Sequence, residues 1–390
     1  MISIDITKIN RCDIFLLIWV LYYLQGILYP VGGIISTGLL GINLLISAIC
    51  AVKVLQMNNT PVYFRGLTWL LLMFTVYGFG FIILRPTTGI LSTIPSYTYI
   101  KNIYLSLLPI YSFYYYSRKG YLTADRLRWW GMIFLMSLTL SYFNNQQTAL
   151  LKTNLEEITN NVGYSFLSCI PLLVLYRKRP FLQYGFIAYC MVFIVMGMKR
   201  GAILIGAVLV LFFLYQAIKN ASRTNKFILI ILSCLLIVGA VWFFIYRMST
   251  SEYMIRRIQD TLDGNSSGRD RIYTYFWNYF VYEANVLNFL FGRGANGTLE
   301  LLNQYAHNDW LELAVNQGLL GVVFYFIYWK YFYKTWKHTT NIDAKVILAM
   351  VVLINFPKSM FSMSYYDMTY VSTSVLGYAL ANRFNPQNQL

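Results

Sequence analysis

Arginine is the residue type whose distribution in this sequence points most directly to chemistry. Residues 247–317 contain six arginines and no lysine, although lysine is used freely elsewhere in the chain. A guanidinium group binds phosphate oxygens through a planar fork, stays charged, and is less strongly hydrated than an ammonium group. This segment therefore indicates a site for a phosphate-bearing ligand. The six residues are Arg247, Arg256, Arg257, Arg269, Arg271 and Arg293.

Two further arginines lie where a predicted helix meets the outer surface of a membrane. Arg85 directly precedes Pro86, and Arg200 lies between Lys199 and Gly201. Short outer loops normally avoid such charges. Arg85 is compatible with ligand binding and equally with anchoring in lipid headgroups. For Arg200 we favour a role in ligand binding over anchoring in headgroups, because the small residues after it let helices approach one another.

An amphipathic helix is predicted within residues 266–280. Its aromatic residues recur at helical spacing, which is typical of a helix that lies on the membrane surface or caps a bundle. Ser267 could cap its N-terminus and place Arg269 in the first turn. A cation there opposes the helix dipole, which favours a ligand-directed role for Arg269. Arg271 either shares that role or pairs with Asp270 or another acid.

His307 is the candidate general base, since it is the only histidine on the predicted outer face. A neutral imidazole can accept a proton near pH 7, although a lone histidine is often structural. Asn308 follows it at the start of a helix predicted to lead into the next span, and Asn308 and Asp309 are candidate substrate-binding residues. Asp309 and Glu312 either replace His307 as the base or orient its imidazole.

A second candidate binding element is the glycine-rich stretch Gly292-Arg293-Gly294, with Gly297 close behind. Glycines at this density predict a tight turn. The backbone N–H groups of such a turn could form a nest for an anion, and Arg293 would add a positive charge to it.

The elements that must position these residues are membrane helices. The chain is 58% hydrophobic and 12% charged, whereas a soluble domain is about 25% charged. We predict an all-α, polytopic membrane helix bundle of about twelve transmembrane helices, because apolar runs near the roughly 20 residues needed to cross a bilayer recur along the chain. The predicted spans are 13–31, 33–52, 66–84, 99–116, 129–145, 162–176, 181–198, 201–218, 227–246, 318–333, 345–362 and 367–382.

Basic clusters orient this bundle. They occupy alternate loops, near residues 118–128, 177–179, 219–226 and 330–337. Under the positive-inside rule these loops are cytoplasmic together with both termini. The segment 247–317 is then one large outer loop, which contains amphipathic helices and carries the candidate site. The chain accordingly divides into an N-terminal transmembrane bundle (1–246), the large loop (247–317) and C-terminal transmembrane helices (318–390).

The residues predict neither a metal site nor a nucleic-acid partner. Two histidines are too few for a histidine-rich metal site, and the five cysteines all lie in or beside predicted spans. The net charge of +16 is explained by retention of basic cytoplasmic loops. We therefore expect no cofactor.

Taken together, these motifs resemble the C-terminal hallmark of the O-antigen ligase and polymerase superfamily, membrane glycosyltransferases of the Wzy and WaaL type. That hallmark is a Gly-Arg helix, a Gly-x-Gly turn and a His-Asn motif that ends in Gly-Leu-x-Gly. A Ser-Arg-Gly-like element also resembles residues 199–202, although a lysine replaces its serine, and residues 160–164 look like the start of a polymerase helix. The matching residues are Gly268-Arg269, Gly292-Arg293-Gly294, His307-Asn308-Asp309-Trp310-Leu311 and Gly318-Leu319-Leu320-Gly321.

The resemblance implies transfer of a glycan from an undecaprenyl-diphosphate carrier at the periplasmic face of the bacterial inner membrane, without a metal. Arg200 and Arg269 would then clamp the diphosphate, with Arg293 and Arg271 as helpers. His307 would take the proton from the acceptor sugar hydroxyl or orient that hydroxyl. Expected partners are the lipid-linked oligosaccharide, membrane lipid and, as a candidate, a chain-length regulator.

Three functions remain open on this basis. A polymerase joins one lipid-linked repeat to another, whereas a ligase transfers the finished chain to lipid A-core. The abundance of Tyr (34) and Phe (27) is typical of polymerases in this superfamily and favours that function. A flippase would also have many spans, but transporters usually carry ionisable groups near the middle of the bilayer and show inverted repeats.

Overall fold

The computed structural model describes residues 9–84, 86–150, 160–219, 221–249, 268–365 and 368–384, together with Ile255 and Gln259. The fold is all-helical, as predicted: helix makes up 79% of it, and no strand occurs in the described ranges. In chain order the helices are α1 Arg11–Tyr23, α2 Ile34–Leu55, α3 Tyr63–Ile83, α4 Ile90–Thr93, α5 Thr98–Leu107, α6 Pro109–Arg118, α7 Ala124–Leu150, α8 Val162–Leu167, α9 Pro180–Met196, α10 Arg200–Lys219, α11 Arg223–Ser249, α12 Arg269–Asn278, α13 Val286–Phe291, α14 Gly297–Leu302, α15 Asp309–Lys337, α16 Ile342–Phe361 and α17 Tyr370–Ala381.

Six of these helices are long and apolar enough to cross a membrane, among the residues described: α2, α3, α10, α11, α15 and α16. The other predicted spans coincide with shorter or more polar helices. The 3₁₀ segment Ile170–Tyr176, for example, continues from α8. The total of about twelve spans therefore stays a prediction.

Two predicted spans are interrupted. The span predicted at 99–116 is divided into α5 and α6 at Pro109, where proline has no N–H to donate to the preceding turn. The span predicted at 318–333 belongs to a longer helix, α15, which starts at Asp309 and is kinked at Gly318 with φ of 65°. Asn308 caps its first turn by accepting from the backbone N–H groups of Trp310 and Leu311. The predicted helix start after His307 is thus confirmed.

Close helix contacts build the core around aromatic residues. α17 packs on α6 where a Cβ on Gly377 would lie 2.6 Å from Cβ of Phe113, so only glycine allows this approach. α15 packs on α3, and the hydroxyls of Tyr63 and Tyr328 lie 3.1 Å apart at that interface. The outer surfaces of α2 and α11 stay apolar and exposed, as expected for surfaces that face lipid.

Candidate active site

The C-terminal end of α16 is the point where the candidate site is assembled. The last carbonyl groups of a helix have no partner within it and attract donors and cations. Here Nη1 of Arg269 donates to the carbonyl of Phe361 at 2.7 Å. Nδ2 of Asn308 donates to the carbonyl of Met360 at 2.8 Å. The first turns of α12 and α15 are therefore fastened to the same helix end.

Tyr273 joins the predicted base to this assembly. Its hydroxyl donates to the backbone carbonyl of His307 at 3.1 Å and, at 3.4 Å, to that of Met360. Tyr273 lies one helical turn after Arg269, so the two side chains share a face of α12. His307 itself has a positive φ of 51°, a left-handed conformation that is uncommon for a residue other than glycine.

Burial and nearby cations favour the neutral form of the His307 imidazole. Partial burial lowers the pKa of His307 below its usual 6.5, and the positive charges of Arg269 and Lys199 lower it further. His307 is nevertheless exposed to solvent. Its ring forms no hydrogen bond with any residue in the described ranges. The ring can therefore accept a proton from an incoming group.

Arg200 is brought to this site by the glycine that follows it. A Cβ on Gly201 would lie 2.8 Å from the ring of Phe361 and 2.4 Å from the hydroxyl of Tyr164. The start of α10 thus lies directly against the end of α16, which is the close approach that the small residue predicts. The structure therefore brings Arg200, Arg269 and His307 to one end of the helix bundle. We call Lys199, Arg200, Arg269 and His307 the His307 site.

The start of α8 forms the wall of this site beside α10. The backbone N–H of Asn160 donates to the carbonyl of Gly197 at 3.1 Å, and its amide side chain donates to the carbonyl of Tyr142 at 2.9 Å. A Cβ on Gly197 would lie 3.3 Å from Cα of Gly163. The segment 160–164 therefore holds the turn that precedes α10.

Asp309 is close to His307 in sequence but is completely buried. Its carboxylate accepts from the hydroxyl of Tyr325 at 2.7 Å and from the backbone N–H groups of Ser364 at 2.9 Å and Tyr365 at 3.3 Å. It therefore ties the start of α15 to the turn after α16. A role as ligand contact or base would require this network to open.

Glu312 is likewise buried and saturated with donors. It accepts from the hydroxyl of Thr298 at 2.5 Å, the backbone N–H of Ala306 at 2.7 Å and the side-chain amide of Asn316 at 2.9 Å. These contacts join α14 and the chain before His307 to α15. Glu312 therefore holds the backbone that carries the imidazole and makes no hydrogen bond to the ring itself.

The glycine turn, Gly292–Gly294, is a packing junction. Its N–H groups donate to the carbonyls of Asn288 at 2.8 Å, Val315 at 2.9 Å and Asn316 at 2.9 Å. A Cβ on Gly292 would lie only 2.3 Å from the carbonyl oxygen of Asn316. The predicted anion nest is wrong, because the donors that a nest requires are already bonded to carbonyl groups of α13 and α15.

Arg293 faces Glu300 instead of the His307 site. Its guanidinium donates two hydrogen bonds, of 2.9 and 3.0 Å, to the carboxylate of Glu300 and one of 3.5 Å to the hydroxyl of Tyr279. The hydrogen bonds to Glu300 are the main reason that the pKa of Arg293 is raised. The structure does not bring Arg293 into contact with Arg269 or His307.

Comparison with known protein families gives a match that covers most of the residues described above. Residues 185–326 match the family model described as O-antigen ligase. Over these residues the chain is similar to the O-antigen ligase/polymerase superfamily. The search of curated proteins and the search of solved structures each gave no match. We call the matched residues 185–326 the O-antigen ligase domain. It extends from α9 into α15 and contains the whole His307 site, whereas the helix end on which the site is assembled lies beyond it.

Arg271, which was predicted to bind substrate, stands apart from the His307 site. Arg271 is exposed and points away from Arg269, because two residues along a helix turn the side chain by about 200°. It forms neither of the ion pairs considered from the sequence, within the part of the chain described. Arg85 and the predicted cap Ser267 lie outside the described residues. Gly268, with φ of 77°, precedes α12 instead.

The predicted amphipathic helix is present as α12 in the O-antigen ligase domain. Its apolar residue Phe276 is buried with Ala306 and Val315 in a small separate core, against which Ile272 packs. Trp277, the next residue along the helix, is 54% exposed. α12 therefore covers the chain that leads to His307.

Lys358 is a cation of the assembly that the sequence reasoning missed. It lies one turn before Phe361, is only 5% exposed, and places its ammonium 5.2 Å from the ring centre of Tyr164. It also attracts the carboxylate of Asp309. The available signal was a basic residue inside the apolar run 345–362, since an ionisable residue in a span is a candidate functional residue.

The His307 site combines chemical groups that are suited to a transfer reaction in which a phosphate ester is the donor. Guanidinium and ammonium groups surround a neutral imidazole at one end of an apolar bundle. No group of three or more His, Cys, Asp or Glu residues in the described ranges could hold a metal ion. Lys199 and Arg269 bring positive charge to His307.

Proposed function

We propose that this protein is a Wzy-type polysaccharide polymerase. It would join undecaprenyl-diphosphate-linked repeat units at the periplasmic face of the inner membrane, with the lipid diphosphate as the leaving group. The observation that carries the proposal is the meeting of Arg269, Lys199 and His307 at the end of α16. The O-antigen ligase domain around them supports a glycosyltransferase of this general type.

The diphosphate leaving group accounts for the positively charged side chains at the His307 site. Negative charge accumulates on the diphosphate as the bond between the sugar carbon and its oxygen breaks. Preorganised guanidinium groups stabilise that charge, most strongly where water is scarce. One nitrogen of Arg269 is held by the carbonyl of Phe361, which fixes the plane of the fork. Arg200, at the first position of α10, would add the second clamp.

The imidazole of His307 would act as the base in glycan transfer. The oxygen of an acceptor sugar hydroxyl attacks the donor sugar carbon, the electron pair of the broken bond leaves with the diphosphate, and the hydroxyl proton passes to His307. This requires a neutral ring, which the lowered pKa of His307 provides. Asp309 and Glu312 act in this scheme by holding the backbone on either side of the motif.

The proposed orientation completes the scheme. Both termini are cytoplasmic, and the loop 247–317 lies in the periplasm. The apolar helices and the family support a membrane location. A chain-length regulator remains a candidate partner, and neither nucleic acid nor a metal has a part in the proposed reaction.

The decisive experiment uses purified protein and lipid-diphosphate-linked repeat units with a chelator present. A ladder of longer glycans supports the polymerase and its independence of metal. Starting material that stays intact, in a preparation whose folding is verified, contradicts it. His307→Ala should abolish the ladder, whereas a flippase should tolerate that substitution.

A ligase is the alternative that the family description favours. Deletion of the gene separates the two functions in cells. Loss of a polymerase leaves a single repeat unit on the lipid A-core. Loss of a ligase leaves the core bare while lipid-linked polymer accumulates.

A further inference from the structure

The region after α12 exposes an apolar surface outside every candidate span. Residues 275–291 carry a single charge, Glu283. α13 within it has no buried residue. Val286 is 74% exposed and Leu287 is 68% exposed, and Leu290 and Phe291 are also exposed. A contiguous apolar surface of this kind marks an interaction site.

The neighbours of α13 set its height relative to the bilayer. The hydroxyl of Tyr77 donates to the carbonyl of Phe291. Tyr77 precedes the end of α3 at Ile83 by six residues, which corresponds to about 9 Å along the helix axis. α13 therefore lies beside the body of a candidate span, below its end.

The contact between α13 and α15 indicates the same depth in the bilayer. A Cβ on Gly318 would lie 2.5 Å from the backbone nitrogen of Gly292 and 2.6 Å from the carbonyl carbon of Leu290. Gly318 follows the start of α15 at Asp309 by nine residues, or about 14 Å. Two candidate spans thus place α13 at the level of their outer turns.

Near Tyr77, α3 also exposes apolar residues. Val76, Phe79 and Ile83 are all exposed, as expected where a span faces lipid. The backbone of α13 is also suited to an apolar environment, since Asn285 caps its start and the N–H of Gly292 closes its end. Glu283 and Asn285 precede it as the polar residues expected at the headgroup level.

We propose that α13 is inserted into the outer leaflet, with Val286, Leu287, Leu290 and Phe291 in contact with lipid acyl chains. The helix acts as an anchor for the large loop. Because the glycine turn that follows it is hydrogen-bonded to Val315 and Asn316 of α15, the anchor also fixes the depth of His307 at the start of that helix. This inference does not depend on the reaction that the protein catalyses.

Spin-label accessibility tests the proposal. Leu287→Cys is introduced together with Cys234→Ser, which removes the exposed cysteine, and the labelled protein is placed in phosphatidylethanolamine and phosphatidylglycerol vesicles. The references are Leu204→Cys on the exposed face of the span α10 and Gln304→Cys in the exposed chain before His307. The oxygen-to-nickel-chelate accessibility ratio at 287 should match that at 204 and exceed that at 304 severalfold.

Two outcomes would overturn the proposal. A ratio at 287 equal to that at 304 means that α13 faces water. A label shielded from both reagents means that protein, such as a second copy of the chain, covers the surface. Val286→Cys serves as a second position if the labelled Leu287 variant elutes as an aggregate in size-exclusion chromatography.

Discussion

The two Gly-Arg pairs within residues 247–317 are alike in sequence but differ in backbone conformation and in purpose. Gly268 and Gly292 both have positive φ angles, 77° and 75°, but their ψ angles are 2° and −176°. Arg269 then reaches the end of α16 and lowers the pKa of His307. Arg293 is held by Glu300, while the turn that carries it packs against α15. The comparison teaches that the Gly-Arg sequence sets only the sign of φ, whereas the neighbouring helices decide the rest of the backbone conformation and whether the cation serves a ligand.

The largest effect is expected at His307. His307→Ala should lower the rate of glycan transfer by about 10²–10⁴-fold, the usual contribution of a general base. Because the pKa of His307 is lowered, the wild-type rate should be level near pH 7 and fall only as the pH drops below 6.5. Rates measured from pH 5 to 8 check this. The matched control is His338→Ala, at the opposite end of α15, which should leave both rate and profile unchanged.

Arg269→Ala should follow, with a loss of about 10²–10³-fold in rate, comparable to removal of one donor from an anionic transition state. Arg269→Lys should recover part of the rate, since it keeps the charge but loses the fork. The measurement is single-turnover product formation at saturating donor. A loss confined to KM would show that Arg269 binds the ground state alone and would weaken the assigned role.

Glu312→Ala should act on stability more than on chemistry. It leaves the donors of Thr298, Ala306 and Asn316 without their acceptor, at about 1–3 kcal/mol for each buried group left unsatisfied. Thermal unfolding in detergent should show a clear decrease for this variant and little change for the exposed Glu283→Ala. If Glu312→Gln kept full stability but abolished transfer, Glu312 would have to be counted as the base.

Gly292→Ala should destabilise the junction by roughly 2 kcal/mol or more, from positive φ and overpacking together. The added Cβ would collide with the carbonyl of Asn316. Gly239→Ala on the open surface of α11, where no atom lies within 4 Å, is the control and should not destabilise. An unchanged unfolding temperature for Gly292→Ala would contradict the packing role of the glycine turn.

The smallest effect is expected at Arg293. Its ion pair with Glu300 is partly exposed, and such pairs contribute about 0–1 kcal/mol. Arg293→Ala should therefore change transfer by only a few-fold, far less than Arg269→Ala in the same assay. Equal losses of transfer rate in the two variants would contradict the functional distinction between the two Gly-Arg pairs.

Much of the candidate site could be predicted because its signals are local. The apolar runs require helices in a membrane, and Asn308 before two acids in the first turn starts a helix. Gly201 after Arg200 requires a close helix neighbour. Each of these follows from residue type and spacing within a few positions, which is the range over which backbone conformation is determined.

The tertiary structure decided which polar groups were already occupied. Asp309 meets Ser364 and Tyr365, and Glu312 meets Thr298, so neither carboxylate is left for a substrate. In the glycine turn, the N–H groups of Arg293 and Gly294 donate to α15, and Lys358 lies beside Tyr164 of α8. Such pairings join residues far apart in the chain and depend on how whole helices pack, which no local pattern of residues encodes.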